Sequence, residues 1–306
     1  MQFTKLILGA LLLILIGAIS AGALFFKHGS ELLRALNSMK IEYLIIAMLC
    51  VSAFHLLDGL RIFILSRALK MKVSVLYSVM LSFMGAFGAS ITPSQVGGEF
   101  IAVWALKKRG NTLHKALGVI SIKSIVGLFA MSLFLPFAIL QILKEPTRAL
   151  IPLGIVLIIL LFALLSTKAL KDTSGKLKRF RQSTKAYFLI LRLYFAKKKG
   201  FLALAFFLSV LAYLFYFLAG TILLLGFNAN AGLIQSIRAQ ALIFLTLLIS
   251  PTPGGAGTAE LGGIYIFGEF LSGGALGAFI ITWRVLTLYV SALIGSILVV
   301  YYLIKR

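Results

Sequence analysis

Two short segments bring together residue types that could handle a charged ligand inside an otherwise apolar chain. The first reads Thr92-Pro93-Ser94-Gln95-Val96-Gly97-Gly98-Glu99, the second Pro251-Thr252-Pro253-Gly254-Gly255-Ala256-Gly257-Thr258-Ala259-Glu260. A base follows each glutamate by 24 positions, Lys123 in one case and Arg284 in the other. The Thr-Pro pairs match at an offset of 160 and the charged pairs at 161, so one inserted residue separates two copies of the same element. Proline and glycine break a helix, and the half-helix that restarts after the break points free N–H groups at whatever lies before it, favouring an anion. A charge at bilayer depth costs at least ~2.5–3.5 kcal/mol, so it has either a partner or a function. At 1.5 Å per helical residue, each acid lies roughly 13 Å and each base roughly 15 Å from its flanking polar boundary. The expected arrangement pairs Glu99 with Lys123 and Glu260 with Arg284 near the midplane. Two chemistries fit: ion pairs that only hold each broken segment in place, or a polar path for an anionic group, phosphate being the natural candidate.

His55, Asp58 and Arg61 form a further set, spaced three apart on one helical face. Asp58 has no acidic counterpart at the 160 offset, where Leu218 stands. An Asp58–Arg61 pair at the interface is one reading, and a cytoplasmic-side gate or headgroup contact is the other. No second ligand of suitable spacing accompanies His55, so no metal site and no cofactor are expected. The lone Cys50 lies in an apolar run and reads as structural. Trp104, Trp283 and the tyrosines read as packing or interface residues, and the Gly262-Gly263 and Gly273-Gly274 pairs as close approaches or turns.

The elements that position these residues are membrane helices. The chain has 306 residues, 61% hydrophobic and 12% charged, and Leu6–Phe26, Ile41–Leu65, Leu150–Leu170 and Phe201–Phe227 are each long enough to cross ~30 Å of hydrocarbon. Lys5 followed by an apolar stretch within Met1–Ala23 invites a signal-peptide reading, but the run is longer than such regions use, and a retained first span is expected. The +22 net charge does not imply nucleic-acid binding. Placing Lys5, Arg61–Lys72, Lys107–Lys115, Lys168–Lys199 and Lys305–Arg306 in the cytoplasm puts 22 of the 30 basic residues there and five opposite, a firm orientation signal. The threading then requires Val73–Leu106 to leave and return on the inside, and Leu233–Phe270 to leave and return on the outside. The expected fold is all-α: a polytopic membrane protein with six full spans, two re-entrant hairpins arranged as inverted-topology repeats (residues 41–140 and 201–304), a basic cytoplasmic loop at 171–200, and both termini cytoplasmic. Eight full spans with kinked breaks are the alternative.

The second segment resembles a signature of the lysylphosphatidylglycerol synthetase transmembrane-region family of flippase-like membrane proteins, which runs roughly Pro-x-Pro-Gly-Gly-x-Gly-x-x-Glu. Gly97-Gly98-Glu99 is similar to that family's earlier Gly-Glu element, and Lys123 and Arg284 fall where it tends to carry bases. The similarity extends from about Ile41 to Tyr302. Ser94-Gln95 departs from the glycine usual after the first proline, and Lys123 stands where arginine is commoner. The resemblance implies a plasma-membrane protein that moves lipid, or a lipid-linked molecule, between leaflets. Full-length synthases add a soluble aminoacyl-transfer domain; this chain ends at Lys305-Arg306, so lysyl-lipid synthesis is not expected.

The leading expectation is a lipid translocator whose site comprises Glu99, Lys123, Glu260, Arg284, Asp58, Arg61 and the backbone of Pro93, Gly97, Gly98, Pro251, Pro253, Gly254, Gly255 and Gly257. Its partners are membrane lipids with anionic headgroups. A membrane-embedded transferase and a scaffold for an envelope enzyme are the alternatives; the first would need a paired acid or metal cluster that the eight acidic residues do not suggest.

Overall fold

The computed structural model describes residues 29–92, 95–146, 189–250 and 252–304. The expected spans Leu6–Phe26 and Leu150–Leu170, most of the 171–200 loop, Pro93 and Pro251 lie outside these residues. Among the described residues the chain is helical, with no strand. Four helices are long and apolar enough to cross a membrane: Ile41–Ala68, Leu113–Ser132, Lys199–Gly226 and Gly273–Ile304. Many of their large apolar side chains, among them Leu128, Phe129, Leu293 and Ile297, face outward, as lipid contact requires.

In chain order the helices are α1 (Ile41–Ala68), α2 (Val75–Ser90), α3 (Gly97–Lys108), α4 (Leu113–Ser132), α5 (Leu135–Lys144), α6 (Lys199–Gly226), α7 (Leu233–Ile249), α8 (Thr258–Phe267), α9 (Gly273–Arg284) and α10 (Val290–Ile304). A single π-helical turn, Val285–Tyr289, joins α9 to α10 without a break in direction. The stretch after α3 is two helices rather than one, because Pro136 lies in the first turn of α5 and the chain turns at Leu133–Phe134 before it. Proline is tolerated there because a first-turn N–H has no helical partner to lose.

The two long helices α1 and α6 pack along each other, and the start of one meets the end of the other: Lys40 N–H donates to the Gly226 carbonyl, and a Cβ at Gly226 would come within 2.9 Å of Tyr43 Cβ. They are therefore antiparallel. α2 and α3 form a helical hairpin. At its open end the Tyr77 hydroxyl donates to the Ala105 carbonyl at 2.9 Å, and Arg109 lies over the Tyr77 ring. At its tip Gly88 and Gly97 are so close that a Cβ on either would stand 2.5 Å from the carbonyl oxygen of the other. α7 and α8 also pack together around the second break. Each hairpin leans on a helix distant in sequence, α2 on α10 and α7 on α5.

The apolar interior is divided. One cluster gathers Ala47–Val51 of α1, the C-terminal half of α6, and α7, α8 and α9. The other gathers Ile62–Ala68 of α1 with α2, α3 and α4. The interval on α1 between the two is occupied by His55, Asp58 and Arg61, all buried. A polar seam thus crosses the middle of the bundle.

Candidate functional site

The second break is built by three glycines that no other residue replaces easily. Gly254, Gly255 and Gly257 have φ of 58°, 70° and 78°, the left-handed region in which a Cβ costs roughly 1–2 kcal/mol. This lets the chain close a 3₁₀ turn at Pro253–Gly255 and start α8 at once. Glu260, in the first turn of α8, reaches back to accept the Gly257 N–H at 2.7 Å. Its other oxygen takes Arg284 Nε at 3.2 Å, and Arg284 Nη2 donates to the Gly254 carbonyl at 3.0 Å. Glu260 and Arg284 are both buried. The expected pair is formed, and it clamps the last residue of α9 to both sides of the break. Ser250 bonds Thr258 across the same break, and Thr252 donates to the Ala256 carbonyl.

At the first break Thr92 does similar work, donating to the Gly88 carbonyl and accepting the Gly97 N–H, each at 2.8 Å. The expected Glu99–Lys123 pair does not form. Glu99 is exposed and accepts from the Ser124 hydroxyl. Lys123, one residue earlier and about 100° around α4, turns inward to Asp58, with Nζ 3.1 Å from Oδ2. Arg61 Nη2 lies 3.3 Å from Oδ1 of the same carboxylate. A buried carboxylate has more to gain from a cation than one that water or headgroups can reach. Asp58 therefore holds Lys123, and Arg61, counted above with the cytoplasmic bases, is drawn into the buried seam.

The Asp58 cluster and the Glu260 pair differ in charge. Glu260 and Arg284 cancel. Asp58 faces two cations, which leaves one positive charge over among the described residues. The side chains of Arg61 and Asp58 are 5% and 9% exposed, whereas Lys123 is 22% exposed, so Lys123 is the member an outside group can reach. Arg61 Nη2 and the Tyr213 hydroxyl of α6 both lie against Gly127, and Arg61 Nε has no protein partner among the described residues. Gly127 on α4 leaves room for both, since a Cβ there would lie 3.2 Å from Tyr213 Oη.

The two breaks also touch. A Cβ on Gly254 would stand 2.9 Å from the Ser90 carbonyl at the end of α2. Gly97 is buried and Gly98 half-buried in the α2–α3 contact, so both serve the hairpin's packing rather than an open surface. Trp283 is fully buried, edge-on to Phe267. Arg238 is half-buried with its Nε unpartnered among the described residues. No group of three metal-ligating side chains occurs among the described residues.

Three seam residues escaped sequence reasoning: Ser82, Ser124 and Ser291. A hydroxyl on an apolar helix gives no warning of where it points, and only the helix packing brings Ser82 and Ser291 to His55 and Ser124 to Glu99.

Comparison with known proteins reaches the same part of the chain. A family model for the lysylphosphatidylglycerol synthase transmembrane region matches residues 6–295. A UPF0104 membrane protein of Archaeoglobus fulgidus is 26% identical over 321 aligned residues, which cover 94% of this chain and 95% of the relative.

Proposed function

The chain belongs to the lysylphosphatidylglycerol synthase transmembrane-region family, and from that premise we propose that it moves an anionic lipid headgroup between leaflets along the polar seam. The observation that carries this reading is the uncompensated positive charge of the Asp58–Arg61–Lys123 cluster, which sits between two apolar cores with only Lys123 partly exposed. A surplus buried cation is costly unless something anionic visits it. A phosphate reaching Lys123 neutralises the cluster while its acyl chains stay in the bilayer.

In this reading α2–α3 and α7–α8 are re-entrant hairpins that enter from the cytoplasmic and outer faces. Residues 41–140 and 201–304 form inverted repeats, the remaining helices make six spans, and both termini are in the cytoplasm at the plasma membrane. The helix lengths support the repeat: 28, 16 and 12 residues in α1–α3 against 28, 17 and 10 in α6–α8. Non-helical backbone at membrane depth needs protein or a polar cavity around it, and the contact between Gly254 and Ser90 places each break against the other hairpin. Rocking of one repeat against the other would open the seam to each leaflet in turn. Glu260 and Arg284 hold α9 to its break during that motion, and Glu99, exposed beside Ser124, lines the approach to Lys123.

The test is a vesicle assay with a fluorescent anionic phospholipid and an impermeant reductant. Purified protein should raise the fraction of probe that the reductant quenches, and Lys123→Gln should remove that gain while leaving the fold intact. Wild-type protein that moves no anionic lipid, or a Lys123→Gln variant that moves it at the wild-type rate, refutes the reading.

A further inference from the structure

The seam holds one titratable side chain that headgroup binding does not use. His55 is buried in the middle of α1, its ring stacked on Phe83 with centroids 4.1 Å apart. Nδ1 lies 2.9 Å from Ser82 Oγ on α2, and Nε2 lies 2.8 Å from Ser291 Oγ on α10. In the neutral imidazole one ring nitrogen donates to its serine oxygen and the other accepts from its serine hydroxyl. A proton added at the accepting nitrogen requires only that its partner hydroxyl rotate from donor to acceptor. The same packing therefore satisfies the ring in both charge states.

The charged groups facing the ring are few. Asp58 and Arg61 share its helix, and Lys123 comes from α4. α2 and α10 bring Ser82, Phe83 and Ser291, none of them charged, and Phe54 packs edge-on between the ring and Tyr216 of α6. The Asp58 carboxylate favours a charged imidazole and the Lys123 ammonium opposes it, by the signs of their charges. A phosphate that draws Lys123 away from Asp58 pulls a positive charge off the cluster and brings a negative one in. Both changes favour imidazolium. By linkage, a proton on His55 favours the anion-bound state by the same factor.

We propose that His55 is the proton-binding residue of the translocator, taking up one proton when an anionic headgroup engages Lys123 and releasing it when the headgroup leaves. The inference rests on the headgroup reading above. The proton is exchanged with water on whichever side the seam is open, and no covalent bond is made or broken. A pH difference across the membrane then drives the headgroup toward one leaflet.

The experiment uses the full chain in phosphatidylcholine vesicles with a trace of fluorescent phosphatidylglycerol, and the reductant reads the outer-leaflet fraction with and without an imposed pH difference. Wild-type protein is expected to shift the fraction away from equal distribution under the gradient and to let it relax when the gradient is collapsed. His55→Gln keeps polar atoms within reach of both serines but carries no titrating proton, so it should equilibrate the probe and ignore the gradient. Wild-type equilibration blind to pH, or gradient-driven accumulation that survives in His55→Gln, overturns the proton proposal and leaves the translocator standing. No movement of the probe by wild-type protein overturns both.

A second measurement needs no change at His55. With His28 replaced by Gln, the ¹⁵N imidazole resonances of His55 and His114 are titrated in nanodiscs with and without phosphatidylglycerol. His114, half-buried near the start of α4, reports the surface effect of anionic lipid. At the low end of the usual 5–150-fold coupling, the His55 midpoint should rise by roughly 0.7 pH units more than that of His114. Equal shifts at the two histidines sink the proposal.

Discussion

Replacing Arg284 by Met is expected to be the most damaging single change at the second break. The variant keeps the apolar stem and deletes a guanidinium that bonds Glu260 at 3.2 Å and the Gly254 carbonyl at 3.0 Å. Glu260 is left with one N–H, that of Gly257. The side chains are only 5% and 10% exposed, so water offers little relief. Removing one partner of a buried pair costs about 3–5 kcal/mol, and the orphaned Gly254 carbonyl adds about 1–3 kcal/mol. Glu260→Gln is milder, about 3 kcal/mol at the low end of the same range, because the amide oxygen still accepts the Gly257 N–H and Arg284 keeps its carbonyl. The double variant strands no charge, so its cost should fall to the carbonyl contribution of about 1–3 kcal/mol. The carbonyl contribution is common to Arg284→Met and the double, so the two singles should overshoot the double by roughly 6–8 kcal/mol, well above the 0.5–3 kcal/mol that contacting residues ordinarily show. Unfolding in mixed micelles with rising SDS measures each value, and Trp283, adjacent to Arg284 and packed on Phe267, supplies the fluorescence. Single costs below about 1 kcal/mol that simply add would be the signature of a hydrated surface pair, and an enclosed clamp at this break would be refuted.

Two other outcomes test the framework. Gly254→Ala must hold a φ of 58° and push against the Ser90 carbonyl at 2.9 Å; a loss of at least about 1–2 kcal/mol in the same SDS titration is expected, and a neutral result would mean that the two breaks do not meet. With Cys50 replaced by Ala, single cysteines at Gly200 and Gly232, which bracket α6, should react with an impermeant maleimide from opposite membrane faces. Labelling of both from one face would defeat the six-span threading.

The framework was legible because its signals are local. Spans announce themselves by composition, and Thr-Pro, the glycines and the 24-residue interval to a base recur at a fixed offset, so the Glu260–Arg284 pair could be anticipated residue by residue. Glu99 and Lys123 show where that reasoning stops. Their spacing equals that of the second pair, yet Lys123 answers to Asp58, a residue 65 positions upstream, and no periodicity connects the two. Helix register decides it: on α4 a shift of one residue exchanges a lysine facing α1 for a serine facing α3. Ser82 and Ser291 carried no signal, since their meaning lies in the imidazole between them.

The departure of the first pair from the second is what gives the seam a direction. If both breaks closed their own ion pairs, two neutral clamps would face each other and nothing in the bundle would prefer an anion. Asp58, with Leu218 standing at the 160-residue offset, breaks that balance. It holds Lys123 away from the exposed Glu99, pairs with Arg61 three residues along its own helix, and concentrates two cations on one carboxylate in the middle of α1. In the proposed translocator Asp58 thus gathers the cations beside His55, while Glu260 and Arg284 hold the second break. Asp58→Leu should therefore abolish pH-driven accumulation without loosening the Glu260–Arg284 clamp. Loss of the clamp's coupling energy in that variant would show that the two ends of the seam are not separable in this way.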